Sequence, residues 1–133
     1  MSATPPLRLK SGAAAAAVLL AACSAPTPKS VVFLDDLPKA ELRRIDAMPV
    51  LDDDRLAGTG HDELGQVEAV SCKRSYWGSP ATWEDAIRRV KYRALRLGGN
   101  AIAKLDCGNP QKKLFAEFCF ESIRCTAAAE RTR

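Results

Sequence analysis

The chain has 133 residues, 20 of them basic and 16 acidic, for a formal net charge of +4; five are cysteines and only 6% are aromatic. A chain of this length makes one small domain. So slight an excess of charge argues against a nucleic-acid partner, and no apolar run is long enough to span a bilayer as a permanent helix.

Residues 13–22 read AAAAAVLLAA, behind a short segment carrying Arg8 and Lys10 and no acidic residue. That is the layout of a secretory signal, too short for a permanent membrane helix. It ends Leu20-Ala21-Ala22-Cys23, which resembles the lipobox of bacterial lipoproteins. There the thiol takes a diacylglyceryl group, and cleavage before the cysteine frees an amino terminus for acylation. Residues 1–22 are therefore expected to be a signal peptide and Cys23 the lipid attachment site. Each buried methylene contributes about 0.8 kcal/mol, so several acyl chains hold the protein firmly on the bilayer. Ser24 in place of aspartate favours the outer membrane. Removal of the signal takes two basic residues with it and leaves 111 residues with 18 basic against 16 acidic.

Residues 23–30 then form the lipidated cysteine and a short Pro/Ser tether. An N-terminal unit spans residues 31–63: a strand at Val31–Leu34, a short helix from Asp36 to Asp46 with Asp36 as cap, and a polar loop, LDDDRLAGTGHDE. Asp52-Asp53-Asp54 lacks the glycine and distal glutamate of a calcium loop, so it reads as solvated. Leu64 to Cys72 reads as a strand and KRSYWGSP as a turn. A long helix follows, with Ser79 as cap and Pro80 at its first position. Its apolar stripe is Trp83, Ile87, Val90, Ala94 and Leu97, and Gly98-Gly99 ends it. Its other surface carries Arg88, Arg89, Lys91, Arg93 and Arg96, either a solvated face or a basic docking face. Asn100 to Cys107 reads as a strand, with Ala101, Ala103, Leu105 and Cys107 on one side or Ile102 and Asp106 on the other. GNPQKK is a turn, Phe115 to Cys125 a last strand, and 127–133 a tail. The expected class is α+β: a small disulfide-stapled sheet packed by one long amphipathic helix and one short helix.

Cys72, Cys107, Cys119 and Cys125 are an even set in an exported small domain, which reads as two disulfides. A four-thiolate zinc site is disfavoured, because C-x34-C-x11-C-x5-C contains no close pair. On one strand Cys119 and Cys125 would lie about 20 Å apart, too far for a bridge. Each must therefore reach Cys72 or Cys107, and a simple hairpin from Cys107 favours Cys107–Cys119.

Leu64-Gly65-Gln66-Val67, Ser71-Cys72, Gly99-Asn100-Ala101-Ile102, Leu105, Cys107, Cys119-Phe120 and Ile123-Arg124-Cys125 resemble the outer-membrane lipoprotein sensors of the Rcs phosphorelay, the RcsF family. The resemblance covers residues 64–126 and the lipobox. It implies bridges Cys72–Cys119 and Cys107–Cys125, against the hairpin preference. It also implies a sensor of envelope damage that meets outer-membrane β-barrel proteins and, under stress, an inner-membrane regulator. The family's linker is longer, Pro-rich and basic, whereas here only residues 24–30 are of that kind.

No catalytic residues, metal ligands or cofactor are expected. The lone His61 has no nucleophile signature beside it, and no phosphate loop or C-x-x-C occurs. The reading is a non-enzymatic binding module without a small-molecule substrate; the alternative is a structural or accessory envelope lipoprotein of similar fold. Candidate contact residues are Tyr76 and Trp77 in the turn and Arg88, Arg89, Arg93 and Arg96 on the helix, since aromatic and arginine side chains anchor interfaces.

Overall fold

Strand β4 (Glu121–Thr132) is flanked antiparallel by β2 (His61–Lys73) on one side and β3 (Ala101–Cys107) on the other. A two-residue strand β1 (Val50–Leu51) adds parallel to β3, so the sheet runs β1-β3-β4-β2. The structure, a computed structural model, describes residues 34–112 and 119–133. Three helices accompany the sheet among these residues: α1 (Lys39–Ala47), α2 (Asp53–Ala57) and α3 (Trp83–Arg96). The fold is α+β, stapled by two disulfides.

Strand alternation turns Ile123, Cys125, Ala127 and Ala129 of β4 toward α3. Pairing brings Val67 opposite Ala127 and Ala69 opposite Cys125 on β2, and Ile102 opposite Ala129 on β3. Two bulges adjust this pattern. In β2 the register shifts between Glu63 and Gly65, and Gly65 takes φ 141°, a conformation that side chains oppose. This is the physical content of the Leu64-Gly65 motif. In β3 the shift falls between Ala103 and Asp106, with Lys104 at φ 52°. That extra residue resolves the two-sided reading of β3. Ile102 before the bulge and Leu105 and Cys107 after it all pack against the same core.

α3 starts later than the Ser79-Pro80 signal suggested. Its cap is Thr82, whose Oγ1 accepts from the Asp85 backbone N–H at 3.1 Å. A tertiary contact selects it: buried Ser71 Oγ on β2 accepts from the Thr82 N–H at 3.2 Å and donates to the Asp85 carboxylate at 2.6 Å. The buried stripe is consequently Ala86, Val90 and Ala94, with Ile87 and Leu95 half-buried beside it; Trp83 and Leu97 are exposed. Beyond α3, a Cβ on Gly99 would stand 3.0 Å from the Ala94 carbonyl oxygen and 3.1 Å from that of Glu130, so glycine fits the close approach. Asn100 then acts as a side-chain extension of the sheet. Its amide accepts from the Thr132 N–H at 2.8 Å and donates to the Thr132 carbonyl at 3.1 Å.

The N-terminal unit differs most from expectation. Residues 31–33 of the expected strand lie outside the described residues, and Leu34 opens a 3₁₀ turn, Leu34–Asp36. α1 begins after Pro38, not at Asp36, because proline disfavours a helical residue before it and supplies no N–H inside a helix. The expected loop 51–63 holds the end of β1, all of α2 and the first turnless residues of β2. The acidic run is a helix start: Asp52 Oδ1 accepts from the Arg55 N–H at 2.8 Å. The expected tail, 127–133, is the second half of β4, with Ala127, Ala128 and Ala129 buried. It lay hidden because alanines carry no strand alternation. The structured unit therefore extends beyond 64–126 at both ends. Residues 115–118 of the expected last strand lie outside the described residues, and β4 itself starts at Glu121.

Candidate functional site

The cysteines form Cys72–Cys119 and Cys107–Cys125. The register of β4 explains both. Cys107 and Cys125 are direct partners across β3 and β4, and Cys125 also faces Ala69 on β2. Cys72 lies opposite Ser122, so Cys119, three residues upstream on the returning chain, reaches the end of β2. A Cys107–Cys119 hairpin bond is not formed, since β4 runs between β2 and β3 and carries Cys119 away from Cys107. These four sulfurs are thus bridged, so none of the four is free to act as a thiolate ligand or nucleophile.

The basic helix surface is less free than its sequence implied. Arg88 makes a two-pronged contact with Asp46 of α1, Nε to Oδ1 at 2.8 Å and Nη2 to Oδ2 at 3.1 Å. Arg89 is bound to Asp85 at 2.8 Å and half-buried. These two arginines position α1 and the Thr82 cap. Arg93 and Arg96 make no ion pair among the described residues; Arg96 is exposed and Arg93 half-buried.

The aromatic turn is outward-facing. Trp77 is 91% and Tyr76 71% exposed, and their rings meet edge to face at 5.0 Å. Trp83, which the sequence placed on the apolar stripe of the helix, and Phe120 are also exposed at this end of the sheet. Trp83 is half-exposed on the first turn of α3, directly after the cap that Ser71 anchors. Phe120 is half-exposed next to Cys119, its N–H donating to the Lys73 carbonyl at 2.7 Å. The turn is held from both sides. Gly78 N–H donates to the Ser75 carbonyl at 3.1 Å, and the Cys72–Cys119 bridge fixes its base. Trp83 was hidden by its helical spacing with Ile87, a period that fits a buried stripe as well as a surface one.

On the sheet face away from α3, Lys104 of β3 reaches across β4 to Glu63 of β2, Nζ to Oε2 at 3.3 Å. That hydrogen bond, aided by Gln66, holds the exposed Glu63 carboxyl below its ordinary pKa. Glu130 lies between Glu63 and Ala101 on β4, is 0% exposed, and has no hydrogen-bond partner at either carboxyl oxygen. Sequence offered no signal for it, because a glutamate near a chain end reads as solvated.

A scan against protein-family models matched none, and a search of curated proteins found no match.

Proposed function

We propose that this chain is an outer-membrane lipoprotein, anchored through acyl chains on Cys23, that resembles the envelope-stress sensor of the Rcs phosphorelay. It works by binding other envelope proteins, outer-membrane β-barrels and an inner-membrane regulator among them, and carries out no catalysis. The observation that supports this reading is the interlocked bridge pattern, Cys72–Cys119 and Cys107–Cys125. It is the pattern the resemblance implies, and it differs from the one a plain hairpin favours. The test is crosslinking in intact cells with a phosphorelay reporter. Capture of barrel proteins, and loss of reporter induction on deletion of the gene, are expected. A reporter indifferent to the deletion would leave a structural envelope lipoprotein as the reading. Mass spectrometry of the membrane form should show an acylated N-terminal Cys23; a product cut elsewhere overturns the anchor.

A further inference from the structure

We propose that the aromatic end of the domain, formed by Tyr76, Trp77, Trp83 and Phe120 with Lys73 and Arg74 at its base, docks on the surface of the bilayer that carries the chain's own anchor. The proposal rests on the lipid-anchor reading for its geometry and on the exposed rings for its chemistry.

Both tryptophans of the chain lie in this patch. Trp77 stands almost wholly in water, and its ring partner among the described residues is Tyr76, itself largely exposed. Indole and phenol rings, apolar in body with a polar atom at the edge, are the side chains that concentrate at the boundary between headgroups and hydrocarbon. Lysine and arginine beside them suit the phosphates there. The rings sit on one turn and at two element ends, and each of the four is at least 45% exposed. Rings so exposed are available for insertion into a soft interface. The patch is also rigid: Cys72–Cys119, the Gly78–Ser75 hydrogen bond and the Ser71–Thr82 contact hold its strands and cap in place. Little side-chain or loop entropy remains to be lost on docking.

The length of chain before the domain favours the bilayer as occupant. From Cys23 through Phe33 there are eleven residues, which reach at most about 40 Å. A domain of this size has a radius of gyration of about 13 Å, so the anchor keeps the patch within a few domain radii of the membrane. Short linkers of this kind raise the effective concentration into the millimolar range. A contact of modest affinity is then occupied in the anchored chain, and in an unanchored one only when vesicles are in excess.

The test uses the full-length lipidated protein in vesicles of phosphatidylethanolamine and phosphatidylglycerol, part of the lipid brominated on its acyl chains. In Trp83→Phe the sole tryptophan is Trp77. Its emission is expected to shift to the blue on reconstitution, and bromolipid is expected to remove most of its intensity. Trp77→Phe reports the Trp83 ring in the same way and serves if Trp83→Phe fails to fold. Cys23→Ala added to Trp83→Phe, offered excess vesicles, should keep the quenching without the anchor. Flotation scores the anchor separately. Trp77 emission that stays at the solvent-exposed wavelength and ignores bromolipid overturns the proposal, whether or not the chain floats. Quenching by excess vesicles in a chain that does not float overturns the anchor and supports the patch. Photocrosslinks from position 77 to a protein, without lipid quenching, assign the patch to a protein partner and overturn the proposal too.

Discussion

Replacing Glu130 by methionine should stabilise the protein. Glu130 is fully buried on β4, between Glu63 and Ala101 on its two neighbouring strands, and neither carboxyl oxygen has a hydrogen-bond partner. An unsatisfied buried polar group costs about 1–3 kcal/mol on mutational scales, and an ionised one costs more. Methionine is unbranched and of similar length, so it fills the space with little repacking. The expected gain is therefore about 1–3 kcal/mol. For a domain near 100 residues each kcal/mol shifts Tm by about 4–8 °C. Urea unfolding and thermal melts of wild type, Glu130→Met and Glu130→Gln measure it. Glu130→Gln keeps polar atoms in the same place and should change stability far less than Glu130→Met. A loss of 1 kcal/mol or more in Glu130→Met, with a loss in Glu130→Gln as well, would show that the carboxyl is partnered and refute the argument.

Removing either bridge should be costly. For sequence separations of 47 and 18, loop closure predicts losses of about 4 kcal/mol for Cys72→Ala with Cys119→Ala and about 3 kcal/mol for Cys107→Ala with Cys125→Ala. Urea titration checks both, and a loss under about 1 kcal/mol for either pair contradicts the chain-entropy argument. Arg88→Glu should destabilise by up to about 1 kcal/mol, because it sets a like charge against Asp46 in a pair that is only partly shielded from water. Arg96→Glu, on an exposed side chain, should stay within about 0.5 kcal/mol. Lys104→Met should raise the Glu63 pKa toward its ordinary value, followed by NMR titration of the side chain. Since the folded pKa of Glu63 is depressed, its stabilising contribution is present at neutral pH and is lost as pH falls through that pKa; the variant should lose this acid-range dependence.

Much of the candidate site was legible residue by residue, but its assembly was not. Residues 73–80 were legible as a turn from their composition, but whether Trp77 packs inward or stands in water was left to the structure. Trp83 was placed inside, because helical periodicity says that residues share a face without saying which face is covered. Arg88 and Arg89 looked like a solvated face for the same reason: Asp46 is 42 residues away from Arg88 in sequence, and no local pattern connects them. Thr82 displaced Ser79 as cap because Ser71 of β2 and Asp85 of α3 hold it in place. Both candidates are good capping residues in isolation.

Sequence alone determined what depends on near neighbours along the chain. The α+β class, the helix ending at the glycine pair, and the impossibility of a Cys119–Cys125 bond on one strand all follow from periodicity, backbone preference and rise per residue. The tertiary structure decided what depends on register. Two one-residue bulges set which side chains of β2 and β3 face α3. The course of β4 between those strands brings Cys119 to Cys72 and Cys125 to Cys107. The physical reason is that strand side chains alternate with a period of two. A shift of a single residue therefore reverses every face beyond it, and only the sum of distant contacts selects among such shifts.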